Sequence, residues 1–202
     1  MLRVAVFSLV VLDGLEAVEN LVTRLLETTI YRAKNQLGHC GILPIMKSIL
    51  ILDNIRSVMN VGSIFRTANA LGMQKIYLCG ITPGPLDRFN RSRKDFDKVA
   101  LGADKTIVWE HAQDTVELVK KLRTEGVYVI AVEQDSSAKD YKKITIEGRE
   151  AIAILMGPEV DGVSKEVLAE VSVIAEIPMQ GSKESLNVGV AFGIAAYRIL
   201  NI

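Results

Sequence analysis

From Met46 onward, short apolar runs alternate with segments of helical pattern, and the runs lack the in-and-out polar alternation of a half-exposed strand. The order is KSILILD then SIFRTANALG, KIYLCG then a polar loop, VYVIAVE, AIAILMG then SKEVLAEV, and VIAEIP then ESLNVGVAFGIAAYRIL. Ile- and Val-rich strands of this kind, separated by helices, describe a parallel sheet covered on both faces, so the fold class is α/β. Between two of the runs, DTVELVKKLRTEG places Leu118 and Leu122 one turn apart and ends on Gly126, the pattern of an amphipathic helix with a glycine cap. The 202 residues with 49% hydrophobic content suffice for one principal core.

Residues 1–45 stand apart as an N-terminal extension of uncertain role, and residues 46–202 form the main domain. Arg3 to Leu12 has the pattern of a strand and Leu15 to Gln36 that of a helix, with a break at Gly38, Gly41 and Pro44. The segment is either a native extension that packs on the core or a stretch upstream of a true start at Met46, and the sequence leaves both open. The opening apolar run has no small-x-small cleavage pattern and is soon followed by acidic residues, which argues against a secretory signal. No later run approaches the ~18 apolar residues of a membrane helix, so a soluble, cytoplasmic protein is expected.

Lys+Arg and Asp+Glu balance at 24 each, so any nucleic-acid binding must rest on a local patch. Cys40 and Cys79 are far apart, which fits a reducing compartment and gives no zinc spacing; no metal site is expected. No strand runs into GxGxxG, and GxxxxGK[ST] does not occur, which argues against a dinucleotide enzyme, an ATPase or a methyltransferase of the doubly wound type. His39 and His111 accompany no GxSxG elbow and are read as structural or surface residues.

Three polar constellations remain, each at the end of an apolar run, where open α/β sheets keep their ligand sites. The first holds Asn60, Gly62 and Arg66 in NVGSIFRTANALG; Asn60 is placed as the helix cap, with Arg66 about one and a half turns inside. Among Ile64, Phe65, Ala68 and Ala70, a buried Arg66 would require an acidic or phosphate partner. The second is ILMGPEVDGVS, where Gly157 permits close backbone approach and Glu159 follows a buried strand. The third is IPMQGSKESLNVGVAFG, with Ser185 and Asn187 at the start of an apolar helix. Taken singly, each also fits an ordinary cap or loop.

In order and spacing, NVGSIFRTA (Asn60 to Ala68), LMGPEVDGVS (Leu155 to Ser164) and IPMQGSKESLNVGVA (Ile177 to Ala191) resemble the signature motifs of the SpoU (TrmH) family of RNA ribose methyltransferases, in the SPOUT superfamily. KVALGADKTIVWE is similar to the family's connecting segment, and the resemblance runs from about Leu50 to Leu200. It implies a parallel-sheet α/β knot, a SPOUT-type domain whose C-terminal part is a deep trefoil knot, an exception to the rule that chains avoid knots. It implies S-adenosylmethionine as cofactor, held by Leu155, Gly157, Ile177, Met179 and Leu186, and transfer of its methyl group to a ribose 2′-hydroxyl of transfer or ribosomal RNA.

The family's functional polar residues correspond to Asn60, Arg66, Glu159, Ser185 and Asn187, all matched in type. The family proposal makes Arg66 the activating residue. Because free arginine stays protonated near neutrality, Arg66 is read instead as binding the RNA phosphate and stabilising the forming alkoxide, with Glu159 orienting it and the proton acceptor left open. Gly189 departs from the family's usual serine after Asn-Val. The small residues Gly189, Gly193 and Ala196 suit close packing against a partner, and the resemblance implies a homodimer with sites at its interface.

RNA contact is expected in PGPLDRFNRSRKDFDK, where Arg88, Arg91, Arg93, Lys94 and Lys98 outnumber Asp87, Asp95 and Asp97 and Phe89 offers a stacking surface. Two rivals make different predictions. A catalytically lost RNA-binding relative would bind RNA without cofactor and transfer no methyl group; an unrelated α/β small-molecule enzyme would have no salt-sensitive RNA affinity.

Overall fold

The computed structural model describes residues 46–202; the strand and helix expected between Arg3 and Gln36, and the break at Gly38 to Pro44, lie outside them. Seven strands form one parallel sheet in the order β3-β2-β1-β6-β4-β7-β5. The strands are β1 (Lys47–Asp53), β2 (Lys75–Cys79), β3 (Val108–Ala112), β4 (Tyr128–Val132), β5 (Lys139–Asp140), β6 (Ala151–Met156) and β7 (Val173–Glu176). The helices are α1 (Val58–Ala70), α2 (Lys94–Ala100), α3 (Thr115–Thr124), α4 (Lys165–Glu170) and α5 (Val188–Leu200).

The continuous apolar runs of β1, β4 and β6 follow from their central places, where both faces are covered. Alternate residues serve two separate cores. Leu50, Leu52, Ile130, Val132, Ile154 and Met156 face the core shared with α1 and α5, whereas Ile49, Ile51, Val129, Ala131, Ala153 and Leu155 face the core shared with α3 and α4. Leu118 and Leu122 of α3 are buried as expected. Asp114 caps that helix on the Glu117 amide at 3.0 Å, and the chain leaves it at Gly126 with φ 84°.

Three elements differ from the sequence reading, the first being the two-residue strand β5, too short to carry a periodic pattern. The edge strand β3, Val-Trp-Glu-His-Ala, begins within the TIVWE segment, which is not read as a strand from sequence; it is largely exposed and so lacks a continuous apolar run. The end of the basic loop is helical, because Phe96 and Ala100 of α2 are buried, Phe96 edge-on to Phe65 of α1 at 5.1 Å. Among the described residues no helix is long and apolar enough to cross a membrane.

Cys79 is fully buried in β2, and burial pushes its thiol up to about 12, so it stays protonated and unreactive. At the end of β1, Asp53 is also buried; its Oδ1 accepts from the Thr115 hydroxyl at 2.5 Å and the Asn54 amide at 2.9 Å. Burial raises its carboxyl above the usual 3.8 despite those two donors. The folded chain therefore holds this proton more tightly than the unfolded one, and the stability it contributes is lost as pH rises from 3.8 through the raised native value. Asp53→Asn keeps an oxygen for Thr115 but removes the titration. Urea unfolding of both proteins should give a stability difference that shifts in favour of D53N between about pH 3.5 and pH 7; a difference independent of pH would contradict the assignment.

Candidate functional site

All seven strands point the same way, so the segments following β1, β4, β6 and β7 emerge on one edge of the sheet. The exit from β1 is held by buried Thr82, whose hydroxyl donates to the Leu52 carbonyl at 2.9 Å and accepts from the Ile55 amide at 3.1 Å. This turn delivers Ser57, and it is Ser57, not Asn60, that caps α1, accepting from the Asn60 amide at 3.2 Å. Both residue types cap well and stand three positions apart, so composition alone could not choose between them. Asn60 is consequently in the first turn of the helix, and its side chain is released for another role.

That role joins the three constellations. Asn187 caps α5 through Oδ1, which accepts from the amides of Gly189 at 3.0 Å and Val190 at 3.4 Å. Its Nδ2 donates to Asn60 Oδ1 at 3.1 Å, and Asn60 Nδ2 donates to Glu159 Oε1 at 2.6 Å. The helix cap thus fixes one amide, that amide fixes the next, and the chain ends on a carboxylate. Each group has a set direction without being buried.

Beside this chain lies an open cleft of about 120 Å³ between the β6–α4 and β7–α5 loops. Its walls include Val132, Met156, Ile177, Met179, Leu186 and Val188, with Glu133, Gln134, Glu159 and Ser185 as polar groups. Gly157 lies in the wall because β6 must pass close to the returning loop: a Cβ there would come within 2.4 Å of Val163 Cγ2 and 2.9 Å of the Val163 amide nitrogen.

Of the residues expected to hold a cofactor, Gly157, Ile177, Met179 and Leu186 line the cleft and Leu155 does not. Leu155 is fully buried in the α3/α4 core, and its neighbour Met156 faces the cleft. A strand turns successive side chains to opposite faces, so an offset of one residue moves the contact across the sheet. Val132, Glu133 and Gln134 were missed; the apolar run ending at VIAVE marked that strand exit, but nothing singled out its polar pair.

Arg66 is not buried among its apolar neighbours: it is exposed on the outer side of α1, with no ion pair among the described residues. Glu159 bonds Asn60 rather than Arg66, which corrects the expected Glu159–Arg66 pairing. Ser185 is exposed at the cleft rim. The small residues of α5 are largely used within the chain: Ala196 is fully buried, and Cβ positions built on Gly189 and Gly193 point at Ile64 and Thr67 of α1. At Gly189 such an atom would lie 3.3 Å from Asn187 Oδ1, so the position crowds the capping amide.

The basic loop is partly neutralised. Arg91 pairs with Asp87 at 2.8 Å and Arg93 with Asp95 at 3.7 Å, while Arg88 and Lys94 have no ion pair among the described residues. Phe89, 62% exposed, has the Arg88 and Arg91 guanidinium carbons 4.8 and 4.9 Å from its ring centre.

The family model described as SpoU rRNA Methylase family matches residues 47–197. The 23S rRNA (guanosine-2′-O-)-methyltransferase RlmB of Coxiella burnetii is 32% identical over 153 residues, 75% of this chain and 57% of that protein. Its counterpart from Ralstonia nicotianae is 30% identical over 149 residues, 74% of this chain and 56% of that one. The chain therefore spans a little over half the length of these relatives. Among solved structures, the AdoMet-bound rRNA methyltransferase from Sinorhizobium meliloti superimposes with a TM-score of 0.68 at 30% identity, covering 78% of this chain and 57% of that one. The A. aeolicus TrmH/SpoU tRNA modifying enzyme, at 22% identity and TM-score 0.66 over 77% of this chain and 74% of that one, shares the fold. With three motifs closing on one cleft and a family match over most of the described residues, the chain belongs to the SpoU rRNA methylase family.

Proposed function

We propose that this protein transfers the methyl group of S-adenosylmethionine to a ribose 2′-hydroxyl in RNA, with residues 46–202 as the methyltransferase domain. The observation that carries the reading is the Asn187–Asn60–Glu159 chain at the mouth of an apolar-walled cleft. The cleft suits the cofactor: Ile177, Met179, Leu186 and Met156 offer apolar walls for an adenine, with Gly157 and Ser185 beside them. When bound, the cofactor supplies an electrophilic methyl carbon.

The chain's own residues then position the RNA. Asn60, locked by Asn187, holds Glu159 at the mouth, while Ser185 and Asn187 shape the approach. Arg66 binds the RNA phosphate and stabilises negative charge forming on the attacking oxygen. Its outward placement fits a homodimer. Met59, Ser63, Arg66 and Ala70 form an exposed stripe on α1 beside exposed Val190, Ile194 and Tyr197 of α5, so Arg66 would stand at the junction of two copies. The knot is part of the same proposal: the β6–α4 and β7–α5 loops share one cleft, and α5 returns to pack on α1, an arrangement suited to threading the C-terminal segment through the first loop.

For the substrate, transfer or ribosomal RNA, Phe89 provides a stacking face and Arg88 and Lys94 provide phosphate contacts, with Arg91 and Arg93 partly committed to Asp87 and Asp95. Names among the relatives favour the ribosomal alternative. A cytoplasmic location accords with that substrate.

Incubation with labelled S-adenosylmethionine and RNA depleted of ribose methylation should place label at alkali-resistant phosphodiesters, with Arg66→Ala lowering the rate at least about 100-fold. Bound cofactor with no label in any RNA would contradict the activity. Leu155→Ala should lower stability by about 2–5 kcal/mol and leave the cofactor affinity of the folded protein nearly unchanged, whereas Met156→Ala should weaken binding more; urea unfolding and calorimetric titration distinguish them. Arg88→Ala should weaken RNA binding and reduce its salt slope by about 1, while Phe89→Ala weakens binding with the slope unchanged.

A further inference from the structure

The exit of β4 carries two polar residues that the three motifs do not include. Glu133 is half-buried, and its carboxylate receives two main-chain donors: the Gln134 amide at 2.8 Å on Oε1 and the Val163 amide at 2.8 Å on Oε2. Val163 belongs to the loop after β6, thirty residues along the chain. Gly162, immediately before it, has φ 68°, and a Cβ on it would lie 3.0 Å from Glu133 Oε2, so the loop is folded around the carboxylate. Gln134 reaches the other way. Its Nε2 donates to the Glu184 carbonyl at 2.5 Å, in the loop after β7.

We propose that Glu133 and Gln134 are positioning residues for the cofactor cleft, a two-armed latch by which one strand end sets the spacing of the two loops that wall it. The inference rests on the methyl-transfer reading for the identity of the ligand. Neither arm acts in the chemistry. Glu133 has both oxygens engaged by main-chain N–H groups, and the bond to Val163 also seats the Val163 side chain against Gly157, which lines the cleft. The Gln134 arm holds the chain one residue before Ser185 and two before Leu186, both of which line the same cleft. Loss of either arm widens the gap between the walls, while the Asn187–Asn60–Glu159 chain, tied to α1 and α5, keeps its geometry.

The carboxylate arm is the stronger because an ionised acceptor strengthens each bond, whereas the Gln134 arm is neutral and exposed. The test is calorimetric titration of S-adenosylmethionine into the full chain and its Glu133→Ala, Glu133→Gln and Gln134→Ala variants, with melting curves and methylation kinetics alongside. E133A should raise the dissociation constant about tenfold and Q134A about threefold, with E133Q, which keeps a carbonyl oxygen for Val163, recovering most of the loss. In kinetics the KM for S-adenosylmethionine should rise while kcat and the KM for RNA stay near wild type. Equal cofactor affinity in E133A and wild type, or a fall in kcat with no change in the cofactor KM, would overturn the latch. Failure of the wild-type chain to bind S-adenosylmethionine would instead overturn the methyl-transfer reading, and the latch with it. Should E133A not fold, Q134A, an exposed substitution, decides the matter through the same two readouts.

Discussion

A sheet in which every strand runs the same way gathers the exits of β1, β4, β6 and β7 on one edge, and nearly everything at the site follows from that geometric constraint. Parallel pairing requires each connection to cross the sheet and return, so polar segments distant in sequence are delivered side by side without a dedicated scaffold. Burying both faces makes the strands stiff and apolar, which leaves chemistry to the exits. There the backbone turns away from its ladder, and side chains such as Thr82, Asn54 and Glu133 take up amides that the sheet no longer pairs.

The site is economical in its use of capping. Asn187 satisfies the open amides of α5, an obligation every helix start carries, and the same side chain spends its remaining donor on Asn60. A structural necessity thereby becomes the fixed end of a polar chain that terminates on Glu159. Placing Ser57 as the cap of α1 serves the same end, since it leaves Asn60 Oδ1 to accept from Asn187 while Asn60 Nδ2 donates to Glu159.

Strand positions, the amphipathic α3 and the convergence of three constellations were legible because each rests on local periodicity or on strand ends, which residue order encodes directly. Features that depend on parity or on distance were not. Leu155 and Met156 are equally apolar neighbours, and only the sheet decides which meets the cleft. The outward face of Arg66 depends on where α1 begins, three residues earlier than an Asn60 cap implies. Edge strand β3 carries too much polar surface to announce itself, and Glu133 acquires its meaning only when a loop thirty residues away folds around it.

The bond between Asn187 and Asn60 spans 127 residues, and that between Asn60 and Glu159 spans 99. Contacts of such separation are reached after large losses of chain entropy, and folds dominated by them form slowly. The polar chain is thus among the last things the polypeptide can make: a nascent chain that has completed β1, β2 and β4 has a growing core but no assembled Glu159, and one that stops short of α5 has no Asn187 to hold Asn60 in place. Competence of this site is in effect a record that synthesis and folding have both reached α5.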